Sequence, residues 1–122
     1  MARAPAIPPP GRRLSSGRVP RAAIRQYVKR IVDRFHPQKV ILFGSHAYGQ
    51  PHADSDVDLL VIMPARSMID MAVRIRLAFD SPFPMDLLVF TPDYLDKRLR
   101  LGDWFVREVL EKGLILHDAA NA

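Results

Sequence analysis

Apolar residues recur at helical spacing soon after the start of the chain. One predicted helix face consists of Ile24, Tyr27, Val28, Ile31 and Phe35. This amphipathic pattern predicts a helix that begins at about residue 21 and packs one face on a core. Pro37 disfavours helical backbone angles in the residue before it, so the helix is expected to end before Pro37.

Short apolar runs further along the chain predict β-strands. The predicted strands are residues 40–43, 57–63, 85–90 and 114–116. The runs at 57–63 and 85–90 are apolar at consecutive positions, which is typical of strands covered on both faces. The run at 114–116 is short and is predicted to be an edge strand.

Helical patterns separate these strands. A short helix after Ser45, an amphipathic helix from Met68 to Phe79, and two helices at 92–100 and 104–112 are predicted. The alternation predicts an α/β (α+β) domain with a mixed central sheet of about four strands flanked by helices. The spacing leaves open which neighbouring strands run parallel.

The first twenty residues differ in composition from the rest. Residues 1–20 hold five of the eleven prolines and four arginines, with no acidic residue. They predict a disordered basic tail ahead of a domain at 21–122. The net charge is +5, and subtracting the four arginines leaves +1. The nearly neutral domain leaves direct nucleic-acid binding an open question.

Composition also excludes several classes of chemistry. The chain has no cysteine, which excludes disulfides, thiolate zinc sites and a cysteine nucleophile. No apolar run approaches the roughly 18 residues of a membrane span, and no stretch resembles a signal peptide. A cytoplasmic protein without a membrane partner is therefore expected.

Three aspartates stand at the heads of apolar strands. Asp56 and Asp58 open one strand and Asp86 opens another. Residues i and i+2 of a strand point to the same face, so all three carboxylates would converge if the two strands are neighbours. Three clustered anions repel one another and are costly to desolvate, and Mg²⁺ would resolve that conflict.

The alternative of an EF-hand calcium loop fits poorly. Asp54, Asp56 and Asp58 match its first half, but Leu59 and Ala65 stand where glycine and glutamate are required. A more useful signal is Gly44-Ser45, which follows an apolar strand. Glycine lets the backbone approach a phosphate closely, and the serine hydroxyl can add a hydrogen bond.

These residues form a spaced motif. It consists of Gly44-Ser45, ten intervening residues, Asp56-Val57-Asp58 and Asp86 on a later strand. This motif resembles the DNA polymerase β-type nucleotidyltransferase superfamily. The longer string LFGSHAYGQPHADSDVDLLVIM and the later PMDLLVFTPDYL resemble its minimal nucleotidyltransferase (MNT) branch. The resemblance covers roughly residues 25–116.

The resemblance implies roles for these residues. Asp56, Asp58 and Asp86 would be the catalytic residues and the ligands of two Mg²⁺ ions, with ATP as the substrate. Gly44 and Ser45 would bind the nucleotide phosphates. Family members often carry a basic residue after the Gly-Ser pair, and His46 stands there instead. His46 and Arg66 are therefore further candidates for phosphate binding.

The resemblance also implies a partner. MNT proteins are commonly paired with an all-helical HEPN toxin, and the family acts as antitoxin by adding AMP to a tyrosine of that toxin. Two alternatives stay open: a binding module that neutralises its partner by occlusion, and nucleotidyl transfer to a small molecule or RNA. Neither the nucleotide preference nor the oligomeric state follows from the sequence, although a homo-oligomer is possible.

Overall fold

A computed structural model describes residues 19–51 and 55–121 of the chain. The predicted tail at 1–20 lies almost entirely outside the described residues. The helices are α1 (Arg21–Phe35), α2 (Ser45–Tyr48), α3 (Met68–Ala78), α4 (Pro92–Arg100) and α5 (Trp104–Lys112). The strands are β1 (Lys39–Phe43), β2 (Val57–Ile62), β3 (Met85–Phe90) and β4 (Leu114–Asp118), and a short 3₁₀ helix, Ala119–Asn121, follows β4.

The strands form one mixed sheet in the order β3-β2-β1-β4. β1 pairs antiparallel with both β2 and β4, whereas β2 and β3 run parallel. The prediction of an α/β fold with a mixed four-stranded sheet is confirmed. The parallel pair matters most for function, because it brings the first residues of β2 and β3 to the same end of the sheet.

Helices cover the two faces of the sheet and produce two apolar clusters. On one face, α1 and α3 pack through residues such as Ile24, Ile31 and Ile75. On the other face, α5 packs Val106 and Val109 against the sheet. The alternation of side chains along β2 places Asp58 on the α5 face, as it does Leu60.

Local sequence signals explain where the helices begin and end. α1 ends at His36, which adopts the left-handed conformation (φ 52°) before Pro37. Ser67 and Thr91 accept backbone hydrogen bonds that cap α3 and α4. Asp103 caps α5 by accepting from the Val106 N–H at 2.9 Å.

The strand β3 differs from its prediction. Its apolar run indicated a strand covered on both faces, but β3 lies at the edge of the sheet and Leu88 is 38% exposed. Asp86 is exposed on the same face. The edge position leaves the end of β3 that carries Asp86 accessible to solvent. Within residues 19–51 and 55–121, every helix is too short or too polar to cross a bilayer.

Candidate active site

Two of the three aspartates face each other across adjacent parallel strands. Asp58 of β2 and Asp86 of β3 are direct register partners. Strands in a sheet lie about 4.8 Å apart, so the two side chains leave the sheet as close neighbours on one face. Asp56 precedes β2 and is half-buried, and its charge acts on Asp58.

The electrostatics of Asp58 reflect this crowding. Burial, followed by the negative charges of Asp86 and Asp56, raises the pKa of Asp58 from its ordinary 3.8 to about 6. Among the described residues, no lysine or arginine forms an ion pair with any of the three carboxylates. Within the described residues, the three acids therefore have no paired cationic side chain to balance them.

This donor set fits a divalent cation by chemistry. Mg²⁺ prefers carboxylate oxygens, and repulsion among clustered carboxylates is relieved when a cation binds. As the side chains stand, no three His, Asp or Glu residues within 19–51 and 55–121 are arranged to hold a metal ion. Because Asp86 is exposed, its side chain can turn toward Asp58 without disturbing the core.

Gly44 packs directly against the carboxylate of Asp58. Its backbone angles, φ 77° and ψ −158°, belong to a region that is essentially restricted to glycine. A Cβ atom at this position would lie 2.2 Å from Asp58 Oδ2. Only glycine therefore allows the turn after β1 to lie beside this acid.

Ser45 begins α2 immediately after that turn. The backbone N–H groups of Ala47 and Tyr48 both donate to the Gly44 carbonyl at 3.0 Å, which closes the turn. In the part of the chain that the structure describes, the Ser45 hydroxyl makes no hydrogen bond. The hydroxyl is thus available to a ligand that lies against the turn.

His46 lies inside the protein. It is 7% exposed, and its Nε2 lies 3.2 Å from the Ser55 carbonyl oxygen, so Nε2 acts as the donor. The ring links α2 to the segment that leads into β2. The phosphate contact predicted for His46 therefore competes with an internal hydrogen bond.

Arg66 lies beyond the other end of β2. It follows Ile62 by four residues, whereas Asp58 stands near the beginning of the strand. The structure does not bring Arg66 together with Asp56, Asp58 or Asp86.

A cavity of about 430 Å³ also lies at that other end of the sheet. Its lining includes Lys39 and Ile62, and α4 contributes Leu95 and Leu99. The cavity is therefore separate from the aspartates.

Sequence reasoning overlooked a basic residue that contacts α2, the short helix after Gly44. The Lys112 Nζ lies 6.0 Å from the centroid of the Tyr48 ring, and Tyr48 is the last residue of α2. Lys112 ends α5, far from the motif in sequence. Nothing in the local pattern could reveal this contact, because it depends on how α5 packs over β1.

Comparison with known proteins indicates the family of the chain. The family model described as nucleotidyltransferase domain matches residues 24–119. A Methanocaldococcus jannaschii protein with the provisional name protein adenylyltransferase is 28% identical over 99 residues, which cover 78% of this chain and 95% of that protein.

A solved structure shows the same fold. It is the crystal structure, at 1.40 Å resolution, of a protein from Sulfolobus solfataricus provisionally described as a nucleotidyltransferase. It matches with a TM-score of 0.58 and 16% identity, over 83% of this chain and 82% of that one. At this identity the likeness concerns the fold alone.

Proposed function

Because the chain belongs to the nucleotidyltransferase domain family, we propose that it transfers AMP from ATP to a hydroxyl group of a protein acceptor. One observation carries the proposal: Asp58 and Asp86 are register partners on parallel strands, and Gly44 packs against Asp58. This arrangement supports the proposal because it brings carboxylate oxygens, which Mg²⁺ prefers, beside a turn that a phosphate chain can approach.

Asp56, Asp58 and Asp86 are the proposed holders of two Mg²⁺ ions. When bound, such ions stabilise the attacking and leaving oxygens of an in-line displacement and offset the charge of the triphosphate. The raised pKa of Asp58 supports this role, because it arises from burial of the carboxyl and from the nearby negative charges of Asp86 and Asp56. Asp58 must give up its proton before it can act as a ligand.

The chain's own groups position the reactants. The Gly44 backbone and the Ser45 hydroxyl would hold the β- and γ-phosphates, and Asp86 would accept the proton of the attacking hydroxyl. The bond between the acceptor oxygen and the α-phosphorus forms as the α–β phosphoanhydride bond breaks. Pyrophosphate leaves, and the acceptor keeps the AMP group.

The proposed acceptor is a tyrosine on an all-helical, HEPN-type toxin, which makes this chain an antitoxin. The name of a relative supports a protein acceptor. The Methanocaldococcus jannaschii relative, matched over 95% of its length, carries the provisional name protein adenylyltransferase.

The proposal is tested with labelled ATP, Mg²⁺ and the helical protein encoded beside this chain. We expect label on a partner tyrosine with the wild type and almost none with Asp56→Asn, Asp58→Asn or Asp86→Asn. Asp93→Asn is the matched control, since Asp93 is an exposed acid in the first turn of α4, at the opposite end of β3. Full labelling by all three aspartate variants would refute the proposed site.

The same preparations separate catalysis from occlusion. If the wild type silences the toxin and both Asp56→Asn and Asp58→Asn fail to do so, the silencing requires transfer. If silencing survives both substitutions, the chain acts by covering its partner, and the enzymatic antitoxin role is wrong.

A further inference from the structure

The α5 side of the Gly44-Ser45 turn carries a cation that the motif does not contain. We propose that Lys112 binds the terminal phosphates of the nucleotide. The proposal rests on the proposed function and deepens it, because it identifies the group that offsets triphosphate charge at this site.

The first argument is position. Phe105 and Lys112 are seven residues apart and therefore share one face of α5. Phe105 packs edge-to-face on Phe43, the last residue of β1, with ring centroids 5.4 Å apart. A Cβ atom on Gly113 would lie 3.0 Å from the Leu42 carbonyl oxygen. This face of α5 therefore lies along the C-terminal end of β1, where the Gly44-Ser45 turn begins.

The second argument is the direction in which the side chain points. Lys112 Nζ lies 6.0 Å from the Tyr48 ring centroid, within the range of a cation–π contact. Ser45 and Tyr48 are three residues apart in α2, and residues at this spacing share a helix face. Lys112 is therefore directed toward the part of α2 that also presents the Ser45 hydroxyl.

The third argument is the order of groups along the sheet end. Asp86, Asp58 and Phe43 follow one another on β3, β2 and β1. Lys112 lies further along, because α5 leads directly into β4 on the other side of β1. A triphosphate with its α-phosphate at the acids and its chain across Gly44 would extend its terminal phosphates toward Lys112.

The fourth argument is availability. Lys112 has one ion-pair partner within the described residues, Glu108, at 3.9 Å. The Lys112 side chain is 59% exposed and that of Glu108 is 25% exposed, and an ion pair at 3.9 Å with one partner largely in solvent contributes little. A phosphate can therefore displace Glu108 at small cost.

A second cation, Arg21, contacts α2 from the opposite side. Arg21 donates to the His46 carbonyl oxygen at 3.2 Å, and Arg21 begins α1, which packs on the other face of the sheet. Its guanidinium is engaged with the α2 backbone. Among the described cations that contact α2, Lys112 is therefore the one on the same sheet face as Asp58.

The experiment compares ligands that differ in their phosphates. With the full chain and Mg²⁺, we measure the dissociation constants of ATP, inorganic tripolyphosphate and AMP. Lys112→Ala should weaken ATP and tripolyphosphate binding about tenfold, as expected for the loss of one charge-assisted hydrogen bond. AMP lacks the terminal phosphates, so its affinity should be unchanged. Lys112→Arg should keep most of the ATP affinity.

Arg107→Ala is the matched control. Arg107 is an exposed cation of the same helix, but it is two residues from Phe105 and so points roughly away from the face that carries Lys112. This variant removes the same charge and should leave all three affinities unchanged. Equal weakening by Arg107→Ala would mean a general charge effect and would overturn the assignment.

Tyr48 gives an independent check. Tyr48→Phe keeps the ring and should preserve ATP affinity, whereas Tyr48→Ala should weaken it. The double variant with Lys112→Ala should lose no more than the stronger single change, because both act through one contact.

Unchanged ATP affinity in Lys112→Ala, or an equal loss for ATP and AMP, refutes the proposal. These measurements are made without an acceptor. If the chain transfers no AMP, the proposed function is refuted, but the role of Lys112 is still decided by the binding measurements. If Lys112 proves not to bind the phosphates, the proposed function still stands or falls by the transfer assay.

Discussion

At the scale of single residues, the proton of Asp58 depends on burial and on neighbouring charge. Both influences raise its pKa, which is about 6 in the folded chain against an ordinary 3.8. The folded state therefore binds this proton more tightly than the unfolded state. The resulting stabilisation is fully present below the ordinary pKa and is lost as the pH rises through about 6.

This linkage predicts the behaviour of Asp58→Asn in the metal-free protein. The amide never ionises, so the variant avoids the cost of a buried carboxylate at neutral pH. Its melting temperature should exceed that of the wild type at about pH 7.5, and the difference should shrink toward about pH 4. Thermal unfolding in the presence of a chelator measures the difference across this pH range.

The control for this prediction is Asp93→Asn, whose target is exposed on α4. This variant should gain no melting temperature over the wild type at about pH 7.5, because its target lies in solvent. The same absence of a gain in Asp58→Asn would contradict the raised pKa.

At the scale of elements, the turn between β1 and α2 brings Gly44 against Asp58. Its position between a strand and a short helix was predictable from the sequence. Its contact with the acid was not, because that contact requires β1 and β2 to be antiparallel neighbours, with Phe43 opposite Asp58. The interior placement of His46 was hidden for a similar reason, since its partner Ser55 lies in the segment before β2.

Two glycines with the same φ permit a matched substitution. Gly44 and Gly102 both have φ 77°, but a Cβ on Gly102 would meet nothing within 4 Å. Alanine should cost about 1–2 kcal/mol of backbone strain at Gly102 and more at Gly44, whose backbone angles are essentially restricted to glycine and whose Cβ would clash with Asp58. Only Gly44→Ala should also displace the Asp58 carboxylate, and a displacement of about 1 Å can cost about 100-fold in rate.

Melting temperature and the rate of AMP transfer, measured on both glycine variants, distinguish these effects. We expect both variants to lose stability, with the larger loss in Gly44→Ala, and a loss of activity confined to Gly44→Ala. If Gly102→Ala lost activity to the same extent, the effect would come from general destabilisation rather than from the position of Asp58.

At the scale of the whole molecule, the strand order decides which acids meet. The sequence predicts four strands and three strand-head aspartates, but it leaves the parallel pairing of β2 and β3 open. That pairing depends on α3, which carries the chain from the end of β2 back to the beginning of β3. The connection is a helical crossover, the usual link between parallel strands.

The edge position of β3 could not be predicted from the sequence either. Its consecutive apolar residues matched those of the central strand β2, although the structure leaves Leu88 38% exposed and covers the β2 residues on both faces. An apolar run reports which residues can be buried, and only the sheet order determines how much of each strand is covered.

The three acids come from β2, β3 and the segment before β2. A divalent cation that binds all three is therefore predicted to stabilise the whole fold. A ligand that binds only the folded state adds RT ln(1 + [L]/Kd), which is about 2.7 kcal/mol at 100 times Kd. Mg²⁺ should therefore raise the melting temperature of the wild type at pH above about 6, where Asp58 is ionised. Removal of the ion by a chelator should reverse the rise.

The variants tie this stabilisation to the three acids. Asp58→Asn removes both a ligand and the repulsion among the carboxylates, so its melting temperature should be high without Mg²⁺ and should respond little to it. Asp93→Asn should respond as the wild type does. An equal response of the wild type and Asp58→Asn would mean that the ion binds elsewhere, since the carboxylate that gains most from a cation would then have no part in holding it.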